Sequence, residues 1–219
     1  MILYGSSMSP FVRKVLAYAA EKGLELEHKP VGLGSEDPDF RACSPFRKIP
    51  AFEDGDFRMC DSTAIIAYLE AKYPEPALIP AEPRDRARTV WFEEFADTIV
   101  MAAGAKLFFN RIVAPRFLGR PGDAAAADKA EREELPPILD YLEAVVPDAG
   151  GFLVGDSLTV ADIAVASPFA NFSYMDIAPF TGGAYPRTLA YVQSILERPS
   201  FAGWIARERR FLERAAAAA

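Results

Sequence analysis

The residues of this chain that could do chemistry begin where its opening strand gives way to a helix. Ser9, Pro10 and Phe11 follow the apolar run MILY after a short loop. A serine ahead of a first-turn proline is a common way to start a helix, which explains both residues without any function. A hydroxyl at the positive end of a helix could instead hold an anion, such as the reactive sulfur of a bound ligand. Both interpretations stay open on these residues alone.

Two further segments carry the residue types of a binding site. In RKIPAF, Lys48 and Ile49 precede Pro50, and a cis X-Pro bond costs only about 0.5–1 kcal/mol. A cis proline would turn the peptide groups of Ile49 outward to pair with an extended peptide, whereas an edge-strand proline would only block pairing. Asp61 and Ser62 start the next predicted helix, where they either receive a carboxylate ligand or simply cap the helix.

These segments lie among alternating strand and helix signals that occupy the first 75 or so residues. The apolar run MILY predicts a strand, and the helical spacing after it stops at Gly23, a residue typical of helix ends. Alternation in LELEHKPVGL predicts a second strand, and Asp54-Gly55 predicts a hairpin turn between two more. DSTAIIAYLEAKYP then reads as a helix. The predicted order is βαβ followed by ββα.

The rest of the chain carries helical signals only. The stretch PEPALIPAEPR has four prolines in eleven residues and predicts a stiff linker over 76–83. Thr159 and Asp162 have the spacing of a capping box at the start of another helix. The alanine-rich stretches 124–127 and 215–219 show no packing pattern and are predicted to be frayed. Helices are predicted at 84–114, at 128–146 with a kink or break at Pro136-Pro137, from 159, and once or twice after 185.

Composition and charge restrict the classes of partner and compartment. The chain has 24 Lys+Arg against 31 Asp+Glu, a net charge of −7 with no basic cluster, which disfavours nucleic acid and anionic membranes. No apolar run approaches the ~18 residues of a membrane span, and no basic leader is evident. Cys43 and Cys60 fit a reducing compartment, and His28 as the lone histidine excludes histidine triads and histidine-rich metal sites. A cytoplasmic protein without metal is predicted.

The order of these motifs resembles the cytosolic glutathione S-transferases, in particular serine-type, bacterial-like members. SPFVRKV, RKIPAF, DSTAIIAYLEAKYP, LTVADIA and the ending ERPSFAGW carry the resemblance, which covers essentially the full chain. It implies an α/β thioredoxin-like glutathione-binding domain at 1–75 and an all-α helical domain at 84–219. It also implies an enzyme that activates the thiol of glutathione for attack on a small hydrophobic electrophile. A homodimer through the helices at 61–73 and 84–114 is expected.

The resemblance makes Ser9 the donor of a hydrogen bond to the glutathione sulfur, with Phe11 beside it in the glutathione site. Ser6 or Ser7 takes this role if the loop is aligned on the serine pair instead. Tyr4 belongs to the first strand, which disfavours a tyrosine-type enzyme. Lowering a thiol pKa near 8.5 by about two units requires roughly 2.7 kcal/mol. One hydrogen bond to a charged group contributes about 1.5–3 kcal/mol, so a single serine suffices.

The same resemblance places the rest of glutathione on the two other segments. It makes Pro50 the cis proline, pairs the Ile49 backbone with the cysteinyl unit and puts Lys48 near the glycyl carboxylate. Ser62 would contact the γ-glutamyl carboxylate and Asp61 would favour its ammonium group. A non-catalytic binding or scaffold protein is the alternative, and the presence of all five residues argues against it.

An apolar pocket for the electrophile is expected between the two domains. Conjugation, isomerisation and dehalogenation all use the same activated sulfur, so the reaction subtype stays open. Arg13, one turn after Ser9, either biases the local field towards an anion or forms an ion pair, the commoner outcome. The candidate wall residues are Met8, Phe11, Phe108, Phe109, Arg111, Phe117, Phe172 and Tyr174.

Overall fold

The N-terminal part of the chain is built on a four-stranded mixed sheet. The computed structural model describes residues 1–32, 34–148 and 150–217. The strands stand in the order β2-β1-β3-β4; β1 and β2 are parallel, and β3 is antiparallel to both of its neighbours. Parallel strands need a crossover, which the helix between β1 and β2 supplies. The strands are β1 (Ile2–Tyr4), β2 (Glu27–Lys29), β3 (Ala51–Asp54) and β4 (Phe57–Cys60).

Successive side chains of each strand point to opposite faces of the sheet, and different helices cover the two faces. Leu3 and Phe52 belong to the main hydrophobic core together with apolar residues of α1 (Pro10–Glu21) and α3 (Ser62–Lys72). Tyr4 and Ala51 point to the other face, where α2 (Pro38–Cys43) covers them. The sheet is thus enclosed by helices on both sides, as the predicted α/β class requires.

Two predictions in this part need correction. The predicted second strand covers only the three residues of β2 rather than the whole of 24–33. Helix α2 was absent from the predicted order, because its six residues are too short to show helical periodicity. Local signals for α2 do exist: Asp37 caps it by accepting a hydrogen bond from the Phe40 N–H at 2.9 Å, and Pro38 takes its first position.

The regular secondary structure in the rest of the described residues is helical, as predicted. The long helix expected at 84–114 is present as an almost continuous run that contains two π-helical turns, Phe95–Val100 and Phe109–Val113. A third π-helical turn, Ala130–Glu134, joins two later helices, and both prolines of the 128–146 segment lie in a first helical turn, where proline is tolerated. The helices are α4 (Pro83–Glu94), α5 (Met101–Phe108), α6 (Ala114–Phe117), α7 (Ala124–Lys129), α8 (Leu135–Val145), α9 (Val160–Phe172), α10 (Ala178–Thr181), α11 (Pro186–Leu196) and α12 (Pro199–Ala217).

The predicted fraying of the alanine-rich segments is wrong where the structure describes them. Residues 124–127 form the start of α7, where Asp123 caps the helix through the Ala126 N–H at 2.9 Å and Ala127 is buried. Residues 215–217 continue α12, and 218–219 lie outside the described residues. Alanine has the highest helix propensity, so a cap and one buried contact are enough to make such a segment helical.

Helix α9 forms the centre of the molecule. Its residues are buried throughout, and it packs against α1 of the N-terminal part as well as against α4 and α11. The predicted capping box is confirmed: Asp162 accepts hydrogen bonds from the Thr159 N–H and hydroxyl at 2.8 and 3.1 Å. Among the described residues, none of the helices combines the length and apolar character needed to cross a membrane.

Candidate active site

Three segments of the N-terminal part meet at one end of the sheet. Tyr4 at the end of β1 pairs with Ala51 at the start of β3, and Ala51 also pairs with Cys60 at the end of β4. The loop after β1, the residues before β3 and the start of α3 are therefore neighbours. The Asp61 N–H confirms this by donating to the Pro50 carbonyl at 3.3 Å. Both α1 and α3 begin at this end, so the positive ends of two helices face it.

Gly5 makes the closest of these approaches possible. Its φ is +137°, and a Cβ at this position would lie 2.6 Å from Val12 Cγ2 and 3.1 Å from Ile49 Cβ. The first residue of the loop is thus held between α1 and the residue that precedes Pro50. Any larger residue would push these two segments apart.

Ser9 occupies the N-cap position of α1 without acting as a cap. Its backbone is extended, with φ −73° and ψ 125°, and its hydroxyl makes no capping hydrogen bond. Its N–H donates to the Ser6 carbonyl at 3.0 Å, and its carbonyl accepts from the Arg13 N–H at 2.9 Å. The Ser6 hydroxyl accepts from the Met8 N–H at 3.4 Å within the loop. The start of a helix therefore explains why Pro10 is present, but it does not explain the hydroxyl of Ser9.

The segment before β3 has the geometry that the sequence predicts. The Ile49–Pro50 peptide bond is cis. Pro50 is buried, Ile49 is half-buried and Lys48 is exposed. The buried Ser44 hydroxyl donates to the Lys48 carbonyl at 2.7 Å and fixes the approach to the cis bond.

At the start of α3 the capping interpretation is correct for Asp61. This residue has φ +88°, and its carboxylate accepts a hydrogen bond from the Ala64 N–H at 3.0 Å. Ser62 is buried at the first position of the helix. Capping does not preclude binding, because a carboxylate has two oxygens and can accept more than one hydrogen bond.

Other titratable groups near the site are held in unreactive states. Burial and a hydrogen bond from its hydroxyl to Glu53 at 3.2 Å raise the pKa of Tyr4, which agrees with its assignment to the first strand. Burial and the Glu53 carboxylate raise the pKa of Cys43 to about 11, so its thiol is protonated at neutral pH. Burial lowers the pKa of His28, whose ring nitrogen bonds the Gly5 carbonyl at 2.7 Å. His28 thus supports the loop, a role that sequence reasoning missed.

Part of the predicted apolar wall assembles beside the loop. Phe108 packs in one cluster with Met8, which immediately precedes Ser9, and with Tyr174. The cluster also contains residues that were not predicted, namely Ile112, Val113, Met175 and Leu212. The spacing of those that lie in helices is indistinguishable from that of ordinary core positions, so no sequence signal could have identified them.

The other wall candidates lie elsewhere or stay unassigned. Phe172 is a core residue that packs on two phenylalanines of the helical part and borders a cavity of about 660 Å³ among α9 to α12. Arg111 is engaged with Asp128 at 3.1 Å and with Glu131. Phe117 stacks on Phe211 at the surface with ring centroids 5.6 Å apart, Phe109 lies under the Arg120 guanidinium, and Phe11 is half-buried in the first turn of α1.

Arg13 forms an ion pair, the commoner of its two predicted outcomes. Its guanidinium bonds the Glu208 carboxylate through Nε at 3.4 Å and Nη2 at 2.5 Å. Both side chains are buried, with exposures of 0% and 2%. Because Glu208 neutralises the cation, Arg13 adds little to the field at Ser9.

Comparison with known proteins agrees with this arrangement. Family models for the N-terminal and C-terminal domains of glutathione S-transferase match residues 3–77 and 112–208. Glutathione S-transferase 3 of Zea mays is 36% identical over 204 residues, covering 91% of this chain and 90% of that protein. A structure of glutathione S-transferase III in apo form has a TM-score of 0.79 and 35% identity, covering 94% of this chain and 95% of the other. Maize glutathione S-transferase I, solved in complex with an atrazine glutathione conjugate, has a TM-score of 0.80 and 26% identity, with coverages of 94% and 96%.

Proposed function

The chain belongs to the glutathione S-transferase family and takes glutathione as its co-substrate; from this premise we propose that Ser9 holds the glutathione sulfur as a thiolate for attack on a small hydrophobic electrophile. The observation that carries the proposal is a serine at the N-terminus of a 12-residue helix whose hydroxyl does not cap that helix. A hydroxyl that donates to the sulfur favours the anion, and the helix N-terminus adds about 0.3–1 kcal/mol in the same direction.

The two neighbouring segments would hold the peptide part of glutathione. The backbone of Ile49, next to the cis bond, would pair with the cysteinyl unit, and Lys48 would attract the glycyl carboxylate. Ser62 at the start of α3 would donate to the γ-glutamyl carboxylate, and the second oxygen of Asp61 would accept from the ammonium group. Because all these groups lie at one end of the sheet, the sulfur would come to rest beside Ser9.

The electrophile would lie against the apolar cluster that contains Met8 and Phe108. The sulfur lone pair forms a C–S bond with the electrophilic carbon. With an aryl halide, the halide leaves with the electrons of the broken carbon–halogen bond, and the thiol proton has already passed to solvent. A maize relative holds an atrazine glutathione conjugate, which supports a flat apolar molecule as this class of substrate. Isomerisation and dehalogenation start from the same thiolate and are the alternative reaction subtypes.

Calorimetric titration with glutathione, followed by an aryl halide conjugation assay, tests this function. We expect binding in the micromolar to millimolar range and conjugation that saturates with glutathione. Ser62→Ala should weaken glutathione binding by about tenfold, since one hydrogen bond to a charged group is lost. Ser157→Ala, a change at an exposed position of the loop before α9, whose first residue bonds the Leu78 carbonyl, is the control and should bind as the native protein does. Absence of heat up to millimolar glutathione would contradict the proposed site.

We also propose a two-fold homodimer in the cytoplasm. Trp91 and Ile99 are about half exposed and border an apolar depression of about 310 Å³ on the 83–113 helical run. Phe46, in the loop before β3, is 84% exposed. In a two-fold dimer each subunit offers both features, so the Phe46 ring of one can enter the depression of the other. Burying such a ring removes its large apolar surface from water.

Replacing Phe46 by serine should therefore shift the dimer towards monomer at micromolar concentration. Sedimentation velocity measures the change, and the single subunits should keep the native circular dichroism spectrum because Phe46 contributes nothing to the core. Phe211→Ser, which removes an exposed aromatic ring from α12, is the matched control and should remain dimeric. A native protein that sediments as a monomer would refute the dimer.

A further inference from the structure

Ser9 lies at the centre of three consecutive backbone carbonyls that are each fixed by a hydrogen bond. The Met8 carbonyl accepts from Asn171 Nδ2 at 2.9 Å, and the Ser9 carbonyl accepts from the Arg13 N–H at 2.9 Å. The Pro10 carbonyl accepts from Ser167 Oγ at 2.7 Å. Two of the three donors are side chains of α9, which belongs to the helical part of the chain.

The amide of Asn171 has only one orientation that satisfies its neighbours. Its Oδ1 accepts from Arg13 Nη1 at 2.8 Å, and a guanidinium has donors only. The NH₂ group must therefore face the Met8 carbonyl. Arg13 is itself fixed by Glu208, which also accepts from the Tyr174 hydroxyl at 2.6 Å, and by the Ser167 carbonyl at 2.8 Å from Nη1.

This network determines the direction of the Ser9 side chain. The plane of the peptide before Ser9 is set by the Met8 carbonyl, and the two planes after it by the Ser9 and Pro10 carbonyls. φ and ψ of Ser9 relate the plane before it to the plane after it, so fixing those two planes fixes its Cα–Cβ direction, from which χ1 sets the hydroxyl. The Ser167 bond to the Pro10 carbonyl anchors the first turn of α1 on which this geometry rests. The side-chain donors Asn171 and Ser167 are buried, so water has little access to compete for the two carbonyls they bond.

We propose that Asn171 and Ser167 are positioning residues that aim the Ser9 hydroxyl at the glutathione sulfur. This inference rests on the proposed function of Ser9 and extends it across the molecule, since helix α9 of the helical part sets the geometry of a catalytic group in the N-terminal part. Without these two donors the loop retains its chain path but Ser9 samples several orientations. A hydrogen bond weakens steeply when its donor–hydrogen–acceptor angle falls below about 120°. The Ser9 hydroxyl would therefore bond the sulfur in productive geometry only part of the time.

The double variant Ser167→Ala/Asn171→Ala tests the proposal. We expect the pKa of enzyme-bound glutathione, followed by the ultraviolet absorbance of the thiolate, to rise by about one unit. With a native thiol pKa of about 6.5, the thiolate fraction at pH 7, and with it kcat/KM for an aryl halide, should then fall about threefold. The KM for glutathione should change less than about twofold, because the contacts from Ile49 and Ser62 remain.

A matched control separates positioning from loss of stability. Ser200→Ala removes another buried contact between α12 and α1, the bond from Ser200 Oγ to Glu21 at 2.6 Å, at the far end of α1 from Ser9. It should lower the thermal midpoint as Ser167→Ala does and leave the pKa of bound glutathione unchanged. If the double variant does not fold, Ser167→Ala alone tests the positioning role, and it should raise the pKa of bound glutathione by about half a unit.

The outcomes distinguish this proposal from the proposed function. If folded Ser167→Ala and the double variant keep the native pKa of bound glutathione while Ser9→Ala raises it, positioning by α9 is wrong and the role of Ser9 stands. If Ser9→Ala also leaves that pKa unchanged, the role of Ser9 fails and positioning falls with it. If the pKa of bound glutathione rises in Ser9→Ala, in Ser167→Ala and in the double variant but not in Ser200→Ala, both the role of Ser9 and its positioning by α9 are supported.

Discussion

Ser9→Ala should raise the pKa of enzyme-bound glutathione from about 6.5 by one to two units and lower kcat/KM for an aryl halide about three- to twenty-fivefold at pH 7. The variant loses one hydrogen bond to a charged sulfur, of about 1.5–3 kcal/mol, and each pKa unit corresponds to about 1.4 kcal/mol. Glutathione binding should change little, because the peptide contacts remain. Titration of the bound thiol and the pH dependence of kcat/KM measure the effect.

The direction of the pH dependence follows from the thiolate. The native complex has the lower thiol pKa, so its rate is already near its plateau at pH values where the variant's rate still rises with pH. The two rates should converge above the pKa of the variant complex, near that of free glutathione. Ser6→Ala and Ser7→Ala are the matched controls from the same loop and should keep the native profile. If the native protein and Ser9→Ala show the same pH dependence of kcat/KM, Ser9 is not the donor to the sulfur. If only Ser6→Ala or Ser7→Ala shifts that dependence, the substituted serine is the donor instead.

Arg13→Met should destabilise the protein by about 3–5 kcal/mol, the largest loss of stability that we expect from a single change. Among the described residues, the substitution leaves the buried Glu208 carboxylate with the Tyr174 hydroxyl as its one donor, and an uncompensated buried charge is costly. Methionine keeps most of the volume of the arginine stem, so cavity formation contributes little. Urea denaturation followed by circular dichroism measures the change in the free energy of unfolding.

Two comparisons complete this test: a double variant that removes both charges of the buried ion pair, and a variant that breaks an exposed ion pair. Arg13→Met/Glu208→Leu should cost much less than the sum of the two single changes, because the second removes the charge that the first exposed. Arg41→Met breaks the exposed ion pair with Glu36 at 2.8 Å and should cost about 0–1 kcal/mol. Equal losses for Arg13→Met and Arg41→Met would show that the buried pair contributes no more than a surface one.

Local chemistry in the sequence was enough to predict most of the architecture. The capping box at Thr159 and Asp162 and the helical periodicity of the second half appear where they were expected, and the hairpin turn lies at Gly55-Asp56, one residue beyond the predicted Asp54-Gly55. Each of these features depends on residues within a few positions of one another, so the local sequence is enough to predict it. The cis bond before Pro50 was implied by the family resemblance, whereas the local sequence left an edge-strand proline open as well.

Most of the features that the sequence did not determine depend on contacts between residues far apart in the chain. The alanine-rich segment 124–127 is helical because Asp123 caps it and Ala127 finds a buried position, and the pattern of the alanines alone contains no sign of that contact. The sequence favoured an ion pair for Arg13 over a field effect but did not identify its partner, because Glu208 lies 195 residues away in the chain. Two residues of α9 hold the backbone around Ser9, over separations of 157 and 163 residues. Residue types thus determine which groups are able to react, whereas only the packing of the helical part on α1 decides how the Ser9 loop is held, because the donors that fix its carbonyls come from that part of the chain.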